Sequence, residues 1–277
     1  MKLTSLLRKI VNPNFSAFIE AFLTRRAKKF LGVEKLPRNN YDRIGKKTIL
    51  NLDKITLFNS ESKYKKLYLD ALQKSGCGDN ILRRLRFFNL YSFIESILIK
   101  ELEGDFAECG CWNGNSLFST KELIDKNRSK KKIYVFDSFE GLSDFTSKDI
   151  ENSSMDEELR KFSKIRHKSN YERLIFNLKG KDNIILRKGW IPEIFLEEEN
   201  RKYCFVHIDL DLYEPTKASL FYFFDRLSKG GMIVCDDYGS NAFPGAKRAV
   251  DEFLSVLNKG SYSYFFQFSA GGCLLIK

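Results

Sequence analysis

The sequence predicts an α/β fold in which a parallel sheet, covered by helices on both faces, is closed by a terminal antiparallel hairpin. After residue 103, short apolar runs alternate with helical patterns, which is typical of parallel strands buried between helices. The last two apolar runs are separated only by Ser269-Ala270-Gly271-Gly272, a turn sequence typical of a hairpin. With 277 residues, 43% of them hydrophobic, the chain can form one substantial core with an appendage.

The first 60 residues are predicted to form a basic helical extension. Phe15, Phe18, Phe22 and neighbouring apolar residues recur largely at helical spacing. Residues 1–49 contain 12 basic and three acidic residues, a balance of +9, whereas the remaining residues have a balance of only +2. Such a helix packs on its own domain or on a second subunit to form a homo-oligomer, and contact with an anionic membrane surface is the alternative. We expect no nucleic-acid partner, because no aromatic–basic recognition motif accompanies the charge.

The compartment is predicted from features that the sequence lacks. It has no run of about 18 apolar residues that would span a membrane. Arg8 and Lys9 interrupt the first apolar stretch too early for a signal peptide. The six cysteines show no CxxC spacing, which indicates reduced thiols. We therefore expect a cytoplasmic protein, and peripheral contact with the inner surface of the membrane is the alternative.

Residues 61–277 are predicted to form the main domain. A helical pattern over residues 60–103 precedes the sheet, and a second clear helical pattern spans residues 246–257. A polar insertion (residues 143–173) interrupts the alternation, and a segment of this kind is typically a lid, a binding loop or a disordered loop. The predicted strands are Phe106–Glu108, Ile133–Asp137, Asn183–Leu186, Tyr203–Asp209, Met232–Asp236, Tyr264–Phe268 and Cys273–Ile276.

The first candidate site follows the first predicted strand, where Glu108, Gly110 and Gly114 occur in the string ECGCWNGNS. Glycines at a strand-to-helix turn allow a ligand to approach the backbone, and the helix N-terminus offers free N–H groups. The spacing differs from the G-x-G-x-x-G of dinucleotide sites. Glu108 can pair with a cationic group such as an amino acid ammonium, or it is a buried acid in an ordinary turn. Asp137, at the end of the second strand, lies where a ribose presents its hydroxyls.

A cluster of acids follows the fourth and fifth strands. Asp209, Asp236 and Asp237 are expected to meet at the carboxyl edge of the sheet, where their mutual repulsion favours a divalent cation such as Mg²⁺ or Mn²⁺. The alternative is a set of solvated acids on loops. Asp211, two residues after Asp209, is a candidate general base for a substrate hydroxyl. His207, within a strand, is interpreted as a core residue.

The chain resembles the macrocin O-methyltransferase family over about residues 85–277. The resemblance depends on several strings that occur in the order of the family, namely GDFAECGCWNGNS at 104–116, DSFEGL at 137–142, KGWIP at 188–192, IDLDLYEPT at 208–216, GGMIVCDDYG at 230–239 and PGAKRAVDEF at 244–253.

This resemblance implies a class I methyltransferase (Rossmann-like) fold and a metal-dependent O-methyltransferase that uses S-adenosylmethionine. The acceptor implied is a sugar hydroxyl, and a nucleotide-activated sugar or another glycan precursor for capsule, lipopolysaccharide or a glycosylated natural product is the favoured interpretation. The resemblance implies Asp209, Asp236 and Asp237 as ligands of Mg²⁺, or of Mn²⁺ or Fe²⁺, and Asp211 as the base. The implied cofactor contacts are Glu108, Gly110, Trp112, Gly114, Asn115, Ser116, Asp137, Ser138, Gly189, Trp190 and Asp209.

Two other functions are compatible with parts of the sequence. Asp209-Leu210-Asp211 is a DxD motif, which in a metal-dependent glycosyltransferase would hold a nucleotide-sugar diphosphate. This alternative leaves the Glu108–Gly114 turn and the Asp236-Asp237 pair unexplained. The other alternative is an inactive, membrane-peripheral scaffold, which requires a broken site, whereas every acid that the chemistry needs is present.

Overall fold

The computed structural model describes residues 63–197, 200–268 and 271–277. The predicted N-terminal helix lies outside these ranges, so the division into an extension and a main domain, and the expected oligomer or membrane contacts of the extension, remain predictions. Within the described ranges, no helix is both long enough and apolar enough to cross a bilayer. All six cysteines are described; they form no disulfide, and five of them are buried.

Helices and strands alternate along the described chain, as the sequence predicts. In chain order the elements are α1 (Lys63–Ser75), α2 (Ile81–Ile99), β1 (Asp105–Cys109), α3 (Asn115–Lys126), β2 (Ile133–Asp137), α4 (Ser147–Ile150), α5 (Glu157–Arg166), α6 (Tyr171–Leu178), β3 (Ile184–Lys188), a 3₁₀ helix (Glu193–Glu197), β4 (Tyr203–Ile208), α7 (Tyr213–Arg226), β5 (Leu227–Cys235), α8 (Pro244–Val256), β6 (Tyr264–Gln267) and β7 (Cys273–Ile276).

The strands form one seven-stranded sheet in the order β3-β2-β1-β4-β5-β7-β6. Strands β1 to β5 pair in parallel, whereas β7 is antiparallel to both β5 and β6. The predicted parallel sheet with a terminal antiparallel hairpin is therefore confirmed. The strand order reverses between β1 and β4, and in sheets of this kind the carboxyl ends of the strands at such a point border a ligand crevice.

Both faces of the sheet are buried, which explains why its strands are continuous apolar runs. Ile133 and Val135 of β2 belong to a cluster with Phe87 of α2. The alternate residues Tyr134 and Phe136 pack into a second cluster with helices α7 and α8. Because successive side chains of a strand point to opposite faces, only a strand covered on both sides needs apolar residues at every position.

The strand bounds agree with the prediction at β2 and β7 and differ most at β5. The predicted start of β5 is Met232, but the strand begins at Leu227. Leu227 is buried and pairs with Tyr203 before an irregularity shifts the register to the Phe205–Met232 pair. Because the residues within this irregularity are polar or glycine, the apolar run alone does not predict the early start of the strand.

The polar insertion is helical over much of its length. Side-chain caps stabilise its short helices, and the periodic pattern of the sequence alone does not predict them. Asp156 and Asn170 accept hydrogen bonds from the first turns of α5 and α6. The insertion is also tied to neighbouring loops: the Ser153 hydroxyl donates to Ala242 O at 2.8 Å, and the Trp112 indole N–H donates to Lys168 O at 3.3 Å. It therefore lies beside the carboxyl edge of the sheet.

Asp149 anchors the start of this insertion to the main domain. Its side chain is 1% exposed. One carboxylate oxygen accepts from the backbone N–H and the hydroxyl of Thr146, at 2.8 and 2.7 Å. The other accepts from the backbone N–H of Tyr213, the first residue of α7, at 2.7 Å. The carboxylate thus satisfies buried donors from two segments that are distant in sequence.

Asp149→Asn is expected to lower the free energy of unfolding by about 1–3 kcal/mol, because the amide group of asparagine cannot accept at both positions and leaves a buried donor unsatisfied. Thermal unfolding followed by circular dichroism measures the effect. Asp144→Asn is the control, since the Asp144 side chain is 97% exposed in its ion pair with Lys164, and its replacement should leave the unfolding temperature almost unchanged. Equal unfolding temperatures for the two variants would contradict the anchoring role.

Candidate active site

The carboxyl ends of β1 and β4 lie in close contact because residue 110 is glycine. Gly110 has a φ of +80°, and a Cβ built on it would lie 2.0 Å from the backbone oxygen of Asp209. The N–H of Asp209 donates to Cys109 O at 2.9 Å, which joins the two strand ends directly. Any other residue would force the two turns apart. Glycine at position 110 is therefore required for the packing of the two strand ends, whether or not it also contacts a ligand.

Two neighbouring cavities open at this edge of the sheet. The larger has a volume of about 430 Å³, within the usual range for a small-molecule site. The smaller has a volume of about 280 Å³ and shares Trp112 and Asp209 with the first. Nine of the sequence-predicted residues line the larger cavity: Gly110, Trp112, Asp137, Ser138, Gly189, Trp190, Asp209, Asp211 and Asp237. The smaller cavity adds Asn115, Ser116 and Asp236.

Asp137 is fixed by the turn that follows β1. One of its carboxylate oxygens accepts from the backbone N–H groups of Cys111 and Trp112 at 2.8 and 2.9 Å, and the other accepts from Phe139 N at 2.6 Å. Burial raises the pKa of Asp137, and these hydrogen bonds oppose that rise. The oxygen that accepts from Phe139 N keeps a further lone pair, so the carboxylate is positioned to accept from a ligand at the wall of the larger cavity.

Glu108 lies behind the cavity walls rather than at their surface. It is 3% exposed, accepts a hydrogen bond from the Ser116 hydroxyl and lies 3.4 Å from His207 Nδ1. A ligand ammonium group would have to use the remaining lone pairs of Glu108. Asn115 offers a second acceptor close by, since its side-chain oxygen is buried without a hydrogen-bond partner at the wall of the smaller cavity.

The remaining predicted cofactor contacts shape the turns around the larger cavity. Gly114 caps α3 in the left-handed conformation, with a φ of +82°, and a Cβ there would lie 2.6 Å from Leu174. Gly189 donates to Asp137 O at 3.0 Å, which joins the ends of β2 and β3. The Ser138 hydroxyl is used within its own turn, donating to Gly141 O at 3.2 Å. Trp190 is 40% exposed and lines the cavity.

Four carboxylates converge at the boundary of the two cavities. Asp236 and Asp237 are 4% and 6% exposed, and Asp209 and Asp211 are half-buried. Burial, together with the neighbouring carboxylates, raises the pKa of Asp209 and of Asp211 well above the ordinary value. The convergence that the sequence predicts for these acids is therefore present, and they do not form a solvated surface.

The sequence interpretation missed two cationic partners of this cluster. His207 is buried, as expected of a core residue, but its ring lies between Glu108 and Asp236, each at 3.4 Å. Burial lowers the pKa of His207, but these two carboxylates outweigh burial and raise it well above its usual range. Arg86 of α2 lies 3.6 Å from Asp236 and 3.2 Å from Asp237.

The donor set fits a divalent cation. Within the described chain, one ligand atom each from His207, Asp209 and Asp236 lies within 4.8 Å of the others, whereas Asp237 is not part of this group. The raised pKa of His207 favours its protonated ring, which cannot bind a cation, so the carboxylates are the candidate ligands. Asp237 Oδ2 is buried and has no hydrogen-bond partner, and Asp236 Oδ1 faces only the ring of His207, at 3.4 Å. Unsatisfied buried carboxylate oxygens are costly, and a hard cation satisfies them. The carboxylate-rich composition favours Mg²⁺ or Mn²⁺ over a softer metal.

The polar insertion contributes His167 to the larger cavity. His167 Nδ1 lies 2.7 Å from Ser163 O, which assigns its proton to this nitrogen, and its Nε2 lies 3.9 Å from Asp211 Oδ2. Burial lowers the pKa of His167, which favours the neutral ring. Of the basic residues in the insertion, Arg166 lines the cavity, whereas Lys164 pairs with the exposed side chain of Asp144.

Comparison with known proteins gives consistent matches. The model of the macrocin O-methyltransferase family matches residues 24–258. The chain is 28% identical over 168 residues to the 8-demethyl-8-(2,3-dimethoxy-alpha-L-rhamnosyl)-tetracenomycin-C 4'-O-methyltransferase of Streptomyces olivaceus, covering 57% of this chain and 61% of that protein. It is 26% identical over 179 residues to the mycinamicin III 3''-O-methyltransferase of Micromonospora griseorubida, covering 61% of this chain and 67% of that protein. The match to the first relative thus spans about three fifths of its length.

Solved structures share the fold at lower sequence identity. The O-methyltransferase NovP superposes with a TM-score of 0.58 and 20% identity, covering 74% of this chain and 87% of that chain. The calicheamicin methyltransferase CalS11 superposes with a TM-score of 0.55 and 21% identity, covering 83% and 91%. Together with the strand order, these likenesses confirm the class I methyltransferase fold.

Proposed function

Because the chain belongs to the macrocin O-methyltransferase family, we propose that it transfers the methyl group of S-adenosylmethionine to a sugar hydroxyl. The observation that carries this proposal is the convergence, at one cavity, of the Gly110 turn, the carboxylate of Asp137 and the acid cluster around Asp209. The first two suit an amino acid and a ribose, respectively, and the third suits a hydroxyl that must lose a proton. The relatives named above are O-methyltransferases, two of them named for glycosylated natural products.

The cofactor is proposed to lie over the ends of β1 and β2. The turn that contains Gly110 and the N-terminus of α3 would receive its amino acid end, with Glu108 and Asn115 as acceptors for the ammonium group. Asp137 would accept a hydrogen bond from a ribose hydroxyl through its free lone pair, and Gly189 and Trp190 would border the adenine. This assignment makes use of the buried acceptor of Asn115, which has no partner within the described chain.

Asp209, Asp236 and Asp237 are proposed to hold the divalent cation, and Asp211 to act as the base. When bound, the cation lowers the pKa of the acceptor hydroxyl, and S-adenosylmethionine supplies the electrophilic methyl group. Asp211 receives the hydroxyl proton on its carboxylate, which lines the larger cavity beside Asp209 and Asp237. The insertion excludes water from this side of the cavity and holds the two reactants together.

The acceptor is proposed to be a nucleotide-activated sugar. Arg83 and Arg166 both line the larger cavity, from α2 and from the polar insertion, and guanidinium groups bind phosphate oxygens well. Other basic residues of the insertion are used elsewhere: Lys161 pairs with Glu157, and Lys164 with Asp144. The glycosyltransferase interpretation of the DxD motif finds no support in the family match, and the inactive-scaffold interpretation has no broken acid in the cluster to support it.

Two measurements test the proposed function. Calorimetric titration with S-adenosylmethionine should show binding, and its absence at millimolar cofactor would contradict the proposal. Incubation with the cofactor, Mg²⁺ and a panel of nucleotide sugars, followed by mass spectrometry, should show a product heavier by one methylene. The matched free sugars and methyl glycosides are the controls. If only the methyl glycosides are methylated, the proposed transferase activity stands, but its acceptor is a glycoside and not a nucleotide-activated sugar.

A further inference from the structure

Arg86 is a cationic residue beside the proposed metal site that the proposed chemistry does not use. It lies on α2, 151 residues before Asp237 in sequence. Its Nη2 donates to Asp237 Oδ1 at 3.2 Å, and its Nη1 lies 3.6 Å from Asp236 Oδ2. The guanidinium group therefore bridges the two carboxylates that follow β5.

The oxygens of these two carboxylates fall into two groups. One oxygen of each faces Arg86. Of the other two, Asp236 Oδ1 lies 3.4 Å from the ring of His207, and Asp237 Oδ2 is buried without a hydrogen-bond partner. With Asp209 and Asp211 beside them, the carboxylates outnumber the cationic groups in this part of the cavity. Arg86 thus balances a cluster that would otherwise repel itself, but it does not satisfy all of its acceptors.

Arg86 also has room to move. It lines both the larger and the smaller cavity, and its side chain is 29% exposed, in contrast to the buried acids that it contacts. A long side chain at such a boundary can withdraw from the carboxylates without disturbing the core. The contact is therefore one that a stronger cation can replace.

We propose that Arg86 is a built-in counter-cation of the acid cluster, which balances Asp236 and Asp237 when no divalent cation is bound and competes with a divalent cation for them. This inference depends on the proposed function, because it takes Asp209, Asp236 and Asp237 as the cation site. Its consequence is that Arg86 weakens cation binding while it protects the empty site from self-repulsion. A divalent cation and a guanidinium group beside the same carboxylates repel each other, so their occupancies are linked.

Calorimetric titration with Mg²⁺ alone tests the competition. Arg86→Gln removes the charge and should lower the dissociation constant for Mg²⁺ by about tenfold or more. Arg86→Lys keeps the charge, and Arg84→Gln removes an arginine of the same helix that pairs with Asp79 instead, so both should stay within about threefold of the unaltered protein. Equal or weaker Mg²⁺ binding by Arg86→Gln would overturn the inference.

Thermal unfolding provides the second readout. In EDTA, Arg86→Gln should unfold at a lower temperature than the unaltered protein, and saturating Mg²⁺ should remove this difference. A variant that fails to fold even in saturating Mg²⁺ would assign Arg86 a packing role and overturn the proposal. If neither the unaltered protein nor any variant binds Mg²⁺, but the unaltered protein still transfers methyl groups, this inference and the proposed metal site are both wrong. The proposed transferase activity is then still supported.

Discussion

Replacement of Asp211 by asparagine is expected to lower the turnover number by about 10²- to 10⁴-fold, the usual contribution of a positioned general base. The side chain lines the larger cavity next to Asp209 and Asp237 and is only 12% exposed. Asparagine has nearly the same size and shape but cannot receive the hydroxyl proton. Initial rates under saturating cofactor and acceptor, with product measured by mass spectrometry, provide the test.

Asparagine is the appropriate replacement because of the backbone at this position. Asp211 has a φ of +62°, in the left-handed region that asparagine and aspartate tolerate better than other residues with a side chain. Alanine or leucine would add backbone strain to the loss of the carboxylate, and the two effects could not be separated. The Asn variant should therefore keep its unfolding temperature and its affinity for S-adenosylmethionine.

Glu214→Gln is the matched control for this experiment. Glu214 lies three residues later, at the exposed start of α7, and should tolerate the loss of its charge with an unchanged turnover number. If Asp211→Asn keeps near-normal turnover, Asp211 is not the base. His167 would then be the next residue to replace, since its Nε2 faces the same part of the cavity, 3.9 Å from Asp211.

The fold was predictable where local pattern and burial agree. Strand β2 is apolar from Ile133 to Phe136 and ends at Asp137, so its bounds follow from the sequence alone. The start of β5 at Leu227 was not predictable, because an irregular polar and glycine segment separates Leu227 from the apolar run that begins at Met232. The helices of the polar insertion depend on caps such as Asp156 and on contacts with distant loops, which leave only weak periodic signals.

The same distinction applies to the candidate site. Asp209 and Asp236 were identifiable because each follows an apolar strand, and the ends of parallel strands meet at one edge of a sheet. The position of His207 within β4 indicated burial, but only the structure places Glu108 and Asp236 on either side of its ring. Arg86 gave no signal, because its approach to Asp237 depends on how α2 packs across the sheet.

Removal of divalent cations is expected to lower the turnover number by about 10³-fold or more, reversibly, because a sugar hydroxyl without a neighbouring cation keeps an ordinary high pKa. Asp211 would then have to remove a proton from a much weaker acid. Dialysis against EDTA, followed by assay before and after addition of Mg²⁺, measures the effect. Affinity for S-adenosylmethionine should fall much less than turnover, since Asp137 and Gly110 lie outside the acid cluster and only Asp209 is shared between the two sets of implied contacts.

Variants of two acids separate a cation site from a general effect of the chelator. Asp236→Asn removes a buried carboxylate of the cluster and should leave the protein unresponsive to added Mg²⁺. Asp251→Asn removes an acid on α8 that pairs with Lys247 at the surface, and it should respond as the unaltered protein does. Full turnover by protein that elemental analysis finds free of metal would remove Asp209, Asp236 and Asp237 from the cation role.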